Sequence, residues 1–244
     1  MEITLIDLIT NNPRLDWISF DKESHTYTYK NGQKFKGVTG WIGEYKKPFD
    51  RDKISKGVAY RTGRSQEDVL AEWDQTLATS QDYGNGVHDA IENLVNTGAW
   101  DDAYDRELTN FMTIMKDYDL TPIRCEMTVY NEDIRRASNI DLLCIRGDEI
   151  VVVDFKTPEK GIKFDAYKDQ KMLYPINILP DASYYHYSLQ LDIYAYWLET
   201  KYDLPVASDH WILYIREDQA EMIITADVRE QTLKLHEWEN SKLK

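Results

Sequence analysis

The spacing of apolar residues in the first half of the chain predicts a β-hairpin followed by helices. Residues 25–37 alternate between apolar and polar positions around Asn31-Gly32, a pair that supplies the positive φ angles of a type I′ turn. Ser65 and Asp68 form a capping box that begins a helix. Helical spacing then predicts a second helix over about residues 82–97, ending at Gly98, and a third over about residues 104–118.

The second half of the chain switches to strand patterns with a long helix between them. The run from Ile150 to Val153 is wholly apolar, which is typical of a strand buried on both faces. The order of one helix, three strands, one helix and one strand predicts an α/β fold around a mixed sheet flanked by helices. The predicted strands cover about residues 123–130, 137–146, 149–156, 211–215 and 222–225, and the helices cover about residues 184–202 and the C-terminus.

The composition fits a packed protein with one large domain or one domain and an extension. The chain has 244 residues, of which 42% are hydrophobic and 12% are aromatic. We expect a hairpin and helical extension over residues 1–80 and the main α/β unit over residues 81–244, with no linker between them. No apolar run approaches the roughly 18 residues of a membrane span, and the N-terminus lacks a basic signal-peptide start. We therefore expect a cytoplasmic protein without a membrane partner.

The charge of the chain is strongly negative but unevenly distributed. The 43 acidic and 29 basic residues give a net charge of −14, which disfavours a polyanionic partner. The segment from Lys30 to Arg64, however, has ten basic and three acidic residues and is locally positive. This basic segment is either a solvated face or, with Lys160, Lys163, Lys168 and Lys171, the wall of a groove that holds a phosphate backbone.

Two aspartates and a lysine are predicted to meet on one face of neighbouring strands. If Gly147-Asp148 is the loop of a type II′ hairpin, Asp141 lies opposite Asp154, and Lys156 points to the same face. Adjacent carboxylates beside apolar strands repel each other unless a cation lies between them or one is protonated. Oxygen ligands suit Mg²⁺ or Mn²⁺, whereas Lys156 could instead neutralise Asp154 in a structural ion pair. This segment alone leaves both interpretations open.

Two further pairs of polar residues are spaced four apart, so that each pair shares a helix face. His88 and Glu92 follow two glycines that permit close approach of the backbone. Gln190 and Tyr194 place an amide and a phenol together on the later helix in the same way. Taken singly, each pair is also compatible with an ordinary core or surface position.

In order and spacing, these motifs resemble the successive motifs of the PD-(D/E)xK nuclease superfamily, specifically its RecB-like and phage-type exonuclease branch. The resemblance covers about residues 25–200 and implies a restriction-endonuclease-like αβββαβ core, the element order that the periodicity also predicts. The matching segments are Gly84-Asn-Gly-Val-His88 with Glu92, Asn139-Ile-Asp141, Val153-Asp154-Phe155-Lys156-Thr157 and Gln190-Leu-Asp-Ile-Tyr194, with Tyr27, Val38-Thr39, Pro48-Phe49-Asp50, Ala59 and Trp73 similar to phage-encoded members.

The resemblance implies a role for each matching residue. Lys156 would position or deprotonate the attacking water and stabilise charge on the scissile phosphate. Gln190 and Tyr194 would orient this lysine or hold the DNA strand near it. Glu92 and Glu126 are additional candidates for an outer position or a second metal. The implied ligands of catalytic Mg²⁺, for which Mn²⁺ would substitute, are Asp141, Asp154, the Phe155 carbonyl and His88.

The sequence departs from the family pattern at two points. Asp154 stands where many members have Glu, which shortens the reach of the carboxylate by one methylene. The iron–sulfur cluster of some relatives needs four cysteines, whereas this chain has only Cys125 and Cys144. We therefore expect no iron–sulfur cluster, and we expect both thiols to be reduced and structural.

The motifs and the resemblance together predict a metal-dependent exonuclease that hydrolyses phosphodiester bonds of linear DNA, in phage-type recombination or repair. DNA is the expected partner, a single-strand annealing protein is a candidate second partner, and the compartment would be the host cytoplasm if the chain is phage-encoded. Two alternatives stay open. One is a structure-specific endonuclease of the same fold, and the other is a non-catalytic acidic protein that mimics DNA.

Overall fold

A mixed sheet with helices packed against it forms the centre of the molecule, which we describe from a computed structural model over residues 4–243. The fold class is therefore α/β, as the sequence pattern predicts. The helices of this part of the chain are α1 Leu5–Thr10, α2 Val38–Gly43, α3 Arg51–Thr62, α4 Gln66–Thr97, α5 Asp105–Asp117, α6 Ser183–Tyr202 and α7 Arg229–Lys242. Among residues 4–243, no helix has the combined length and apolarity needed to cross a membrane.

The sheet joins the N-terminal hairpin to the strands of the main unit. Its strands are β1 Ile18–Asp21, β2 Thr26–Tyr29, β3 Lys34–Gly37, β4 Thr121–Asn131, β5 Arg136–Arg146, β6 Glu149–Lys156, β7 Trp211–Arg216 and β8 Gln219–Ile224. They are ordered β1-β2-β3-β5-β6-β7-β8, with β4 paired to β5 beside this path. The pairs β3–β5 and β6–β7 are parallel and the others are antiparallel, so the sheet is mixed.

Strand β5 shares one of its edges between two partners. Its last part, Leu142–Arg146, pairs with β6, whereas Arg136 and Ala137 pair with β3. Strand β4 covers the opposite edge along most of its length. Residues 138–141 therefore lie where β3 and β6 separate, and the sheet is split beside Asp141.

The β5–β6 hairpin has the predicted register. Arg146 pairs with Glu149, and Gly147 between them has a φ of 59°, as the first central position of a type II′ turn requires. Asp141 and Asp154 follow directly beyond the last pair of this ladder. The two aspartates are consequently neighbours on adjacent strands, at the point where these strands begin to separate.

The N-terminal hairpin also forms, but the predicted type I′ turn is wrong. Tyr29 donates its backbone N–H to the carbonyl of Gln33 (2.9 Å), which leaves a loop of three residues. Gly32 has a φ of 83°, whereas Asn31 has no positive φ. A three-residue loop with glycine at its left-handed position is the next most common hairpin connection, and it shifts the pairing by one residue.

Helix α4 is one continuous helix where two were predicted. Ser65 caps it by accepting a hydrogen bond from Asp68 N (3.0 Å), and it ends at Gly98 with a φ of 75°. The polar stretch before Gly84 contains no proline and continues the helix. Position 86, inside the helix, requires glycine because any Cβ there would overlap the hydroxyl group of Tyr104. This glycine thus serves close packing rather than a turn. The predicted boundary between residues 80 and 81 falls inside α4.

The two faces of the sheet are covered by different helices. Ile150 and Val152 of β6 face the cluster that contains α6, whereas Val151 and Val153 face the cluster formed with α4 and α5. All four side chains are fully buried, which confirms the strand predicted to be buried on both faces. The sheet thereby brings β5 and β6 between the helices that carry His88 and Gln190.

The two cysteines are separate buried thiols. Cys125 lies on β4 and Cys144 on β5, where Cys144 Sγ is 3.8 Å from the sulfur of Met115. Burial raises the pKa of both thiols, so both are protonated near neutral pH. They behave as small apolar side chains of the core.

Candidate active site and metal centre

A cavity of about 500 Å³ opens at the split between β3 and β6. The hairpin of β1 and β2, helix α4 and helix α6 form its walls. Its floor is formed by β4, the first half of β5 and the end of β6. Eight of the candidate site residues named from the sequence line it, whereas Phe155 does not. These eight are His88, Glu92, Glu126, Asp141, Asp154, Lys156, Gln190 and Tyr194.

Asp154 and Lys156 form an ion pair at the end of β6. The side chain of Asp154 is 1% exposed, and its Oδ2 contacts Lys156 Nζ. The other oxygen, Oδ1, accepts a hydrogen bond from Gln190 Nε2 (2.9 Å). Lys156 Nζ also donates to the carbonyl oxygen of Phe155 (3.0 Å). The amide of Gln190 therefore fixes the carboxylate rather than the lysine.

Asp141 is held by the backbone of β6 at the point where the strands separate. Its Oδ2 accepts a hydrogen bond from Phe155 N (2.9 Å). The side chain thereby takes the place of a backbone carbonyl acceptor on β5. His88 Nδ1 lies 3.8 Å from the same oxygen. Asp141 thus faces His88 of α4, whereas Asp154 faces Lys156 and α6.

The residues placed best to hold a metal ion are His88, Glu126 and Asp141. One ligand atom from each lies within 4.8 Å of the others, in the only such group among residues 4–243. Glu126 enters the group because it lies between two residues of β4 that pair with the neighbours of Asp141 on β5. Among the other predicted ligands, the side chains of Asp154 and Glu92 lie outside this group.

Glu126 has an unusual backbone and its own support. Its φ is 54°, a left-handed angle that costs about 1–3 kcal/mol for a residue with a side chain. Its Oε2 accepts a hydrogen bond from Asn139 Nδ2 (3.0 Å), and Asn139 Oδ1 accepts one from Thr128 Oγ1 (2.8 Å). Backbone angles of this kind cluster at functional sites, where the surrounding structure over-determines them.

The carboxyl groups of the cavity are unfavourable as anions without a cation. Burial, reinforced by the charge of Asp141, raises the pKa of Glu126 to about 7. Burial also raises the pKa of Asp154 to about 7, although Lys156 opposes this shift. The pKa of Asp141 is raised by burial as well. The carboxylates are buried and repel one another. Together with the imidazole nitrogen of His88, they form a donor set that fits a divalent cation.

The two nitrogen bases of the site are held in opposite protonation states. Burial and the charge of Lys156 lower the pKa of His88 to about 4, so its imidazole is neutral and can ligate a metal. Burial alone would lower the pKa of Lys156. The negative charges of Asp154 and Asp141 have a larger, opposite effect, so the pKa is raised to about 12. Lys156 is therefore an ammonium group at neutral pH.

Helix α6 contributes one aromatic side chain that the sequence motifs did not indicate. Lys156 Nζ lies 4.8 Å from the ring centroid of Tyr187, which also lines the cavity. Tyr187 is three residues before Gln190 and so shares its helix face, which is the signal that could have identified it. Tyr194 is buried and its hydroxyl lies 2.7 Å from Ser138 Oγ. Tyr194 therefore packs against β5 and does not orient Lys156 directly.

None of the ten basic residues between Lys30 and Arg64 lines the cavity. Four of them are in ion pairs, namely Lys36 with Glu44, Arg51 with Asp74, Lys56 with Asp52 and Arg64 with Glu72. Exposed pairs of this type contribute little stability, but they reduce the local positive potential. Lys22, outside this segment, lines the cavity and pairs with Asp89 (2.9 Å).

The raised pKa values lead to a stability prediction for the metal-free protein. Glu126 and Asp154 have folded-state pKa values above their ordinary ones, so the folded state binds more protons. This stabilisation is present at about pH 5 and is lost as the pH rises through about 7. The lowered pKa of His88 has the opposite effect and offsets part of this loss. In EDTA, the melting temperature of the wild type relative to that of Glu126→Gln should therefore fall by a few degrees between about pH 5 and about pH 8.

Divalent ions should reverse this loss, because only the deprotonated carboxylates bind them. Millimolar Mn²⁺ is expected to raise the melting temperature at the higher pH and to have little effect at the lower one, as measured by differential scanning fluorimetry. The pH dependence that Glu126→Gln removes is the contribution of this one carboxyl. An equal pH dependence in the wild type and in Glu126→Gln, together with no response to Mn²⁺, would contradict the assignment of a metal site.

Comparison with known proteins adds a limited structural likeness. No protein-family model matches the chain, and no curated protein matches it. Among solved structures, 14 chains match. One is the crystal structure of SSO0001, which is 14% identical over 85% of this chain and 75% of the other, with a TM-score of 0.34. A likeness of this size does not identify a family or an activity.

Proposed function

We propose that this protein is a metal-dependent deoxyribonuclease that hydrolyses phosphodiester bonds, acting as an exonuclease on linear DNA. The proposal includes a restriction-endonuclease-like αβββαβ core made by α5, the three strands β4–β6, helix α6 and strand β7. Two features support this core: β4, β5 and β6 are antiparallel neighbours, and β7 pairs with β6 in parallel after α6. The residues of the PD-(D/E)xK-like motifs lie together at its sheet split.

One observation carries the proposal: an ammonium group and four potential metal-binding side chains share a single open cavity. Lys156 pairs with Asp154, while His88, Glu126 and Asp141 lie on the adjoining floor and wall. A structural ion pair alone would require neither a cavity nor the other three groups. The side chain of Lys156 is 19% exposed and reaches the cavity, so it is accessible to a substrate.

The donor set fits Mg²⁺ or Mn²⁺ at the floor of the cavity. His88, Glu126 and Asp141 would hold the ion, with Asp154 available on the neighbouring strand. The ion would neutralise developing charge on the phosphate and lower the pKa of water in the site. An imidazole beside carboxylates suits Mn²⁺ better than Mg²⁺, which prefers oxygen ligands alone.

Side chains of the cavity bind the phosphate and hold Lys156 in position. Because Lys156 is an ammonium group, it donates hydrogen bonds to a non-bridging phosphate oxygen and stabilises the charge that develops there. It does not act as the general base at neutral pH. Gln190 fixes Asp154, which in turn holds Lys156 in place, and the ring of Tyr187 limits where the ammonium can move. Gln190 and Tyr187 are therefore positioning residues.

The experiment that tests the function compares linear and covalently closed circular DNA of the same sequence in Mg²⁺. An exonuclease should degrade the linear form and leave the circle intact, because the circle has no end. Cleavage of the circle would replace the exonuclease proposal by the endonuclease alternative of the same fold. Digestion of neither form in Mg²⁺ or Mn²⁺ would contradict nuclease activity as such.

A further inference from the structure

One wall of the cavity is aromatic. It consists of Phe20 at the end of β1, His25 in the following turn and Tyr27 on β2, and we call these three residues the aromatic wall. The rings of Phe20 and Tyr27 are stacked, with centroids 4.6 Å apart and an interplanar angle of 26°. The His25 ring meets Phe20 edge-on at 5.2 Å. None of the three takes part in the metal group or the ion pair described above.

The aromatic wall has a buried base and an accessible surface. Tyr27 is 3% exposed and supports Phe20 from the core side, whereas Phe20 is half-buried and His25 is exposed. His25 has a φ of 48°, a left-handed angle that is uncommon for a residue with a side chain, in the turn between β1 and β2. Rings needed only for the core would be expected to be buried, as Tyr27 is, rather than half-buried or exposed at the cavity, as Phe20 and His25 are.

The cavity is charged at one end and aromatic at the other, and a nucleotide likewise has a charged phosphate at one end and an aromatic base at the other. The floor presents Lys156 and the metal group, which suit a phosphate with its cation. The aromatic wall presents ring faces and edges, on which bases of any sequence stack. The volume of about 500 Å³ lies in the range of sites that enclose small ligands.

We propose that the aromatic wall is a base-binding subsite, in which Phe20 and His25 contact the base of a nucleotide whose phosphate lies at Lys156. This inference rests on the proposed function and extends it. A base that lies against Phe20 has left its neighbours in a duplex, so the nucleotide in the cavity is unpaired. The site therefore takes a single-stranded end or one splayed from a duplex.

A charged residue of the same hairpin adds a contact for the backbone of that strand. Lys22 lies between Phe20 and His25 in the chain and pairs with Asp89 of α4 across the cavity. Both partners are mostly exposed, with side-chain exposures of 77% and 55%. Such a pair is weak, so Lys22 can exchange Asp89 for a phosphate when a strand enters.

The test measures binding of a fluorescein-labelled oligothymidylate of about ten nucleotides by anisotropy, using the full chain. Ca²⁺ replaces Mg²⁺, and a gel confirms that the DNA stays intact. Phe20→Leu keeps an apolar side chain for the hairpin but removes the ring. Tyr29→Leu is the matched control, because Tyr29 stacks on Phe35 (5.2 Å) in the same hairpin and does not line the cavity. The melting temperatures of both variants are measured alongside.

Phe20→Leu should weaken binding of the single strand about tenfold, whereas Tyr29→Leu should leave it unchanged. A set of oligonucleotides, each with one abasic site at a different position, completes a double-mutant cycle with Phe20→Leu. At the position that meets Phe20, loss of the base should weaken binding to the wild type and make the wild type and Phe20→Leu equal. A matched duplex should bind more weakly than the single strand and should not distinguish the variants.

Three outcomes would overturn the inference. Equal loss of binding in Phe20→Leu and Tyr29→Leu would assign the rings to hairpin stability alone. Unchanged binding in Phe20→Leu, with Mg²⁺-dependent digestion still present, would remove the subsite and leave the proposed function standing. Failure of the wild type to bind or digest any DNA would remove the proposed function and, with it, the subsite.

Discussion

Replacing Lys156 with Met should lower the rate of DNA hydrolysis by about 10²–10³-fold. The substitution keeps a long side chain beside Tyr187 but removes the ammonium group on the floor of the cavity, which is the group proposed to meet charge developing on the phosphate. Asp154, left without its cation, would take up a proton, because burial already raises its pKa to about 7. The initial rate of label release from linear DNA measures the effect.

The control for this prediction is Lys116→Met, on helix α5. Lys116 is exposed and lies outside the cavity, so its replacement should change the rate by less than about twofold. The circular dichroism spectra of both variants should match that of the wild type. Full activity in Lys156→Met would show that the ion pair with Asp154 is structural.

Replacing Glu126 with Gln should weaken Mn²⁺ binding by more than about tenfold, whereas Glu92→Gln should change it by less than about threefold. Glu126 belongs to the metal group with His88 and Asp141, but Glu92 only lines the cavity. Gln keeps the size of the side chain and its hydrogen bond with Asn139, while it removes the anionic ligand. Isothermal titration calorimetry on the metal-free protein provides the affinities.

Asn139→Ala is the companion variant, because Asn139 holds Glu126 and does not itself belong to the metal group. Loss of a group that orients a ligand is expected to cost about 10–100-fold in metal affinity. If Glu92→Gln weakens binding while Glu126→Gln does not, the ion lies nearer the mouth of the cavity and the ligand assignment is wrong.

Much of the sheet around the site could be predicted from the sequence because short-range rules determine it. Gly147 specifies a type II′ turn, and this turn sets the register that places Asp141 beside Asp154. The wholly apolar run of β6 can only be accommodated between two packed layers. Residues four apart on a helix share a face, which is why Glu92 lines the cavity together with His88, and Tyr194 together with Gln190.

The features that sequence reasoning missed depend on contacts that are distant in the chain. The sequence offers Glu126 only as a candidate for an outer position or a second metal; its place beside Asp141 depends on the register of β4 and β5, and its left-handed φ is not visible in the sequence. The basic segment is partly neutralised by acids of α4, such as Asp74 and Glu72, which lie outside its own range. The separation of β5 from both β3 and β6, which creates the cavity, likewise arises from tertiary pairing.

The measurement that tests the central claim most directly is the release of label from end-labelled linear DNA with and without divalent ions. The account predicts release by the wild type in Mg²⁺ and in Mn²⁺, none in EDTA, and none in Mg²⁺ when Asp141 is replaced by Asn. Release that is unaffected by EDTA, or undiminished in Asp141→Asn, would contradict a metal-dependent nuclease centred on this cavity.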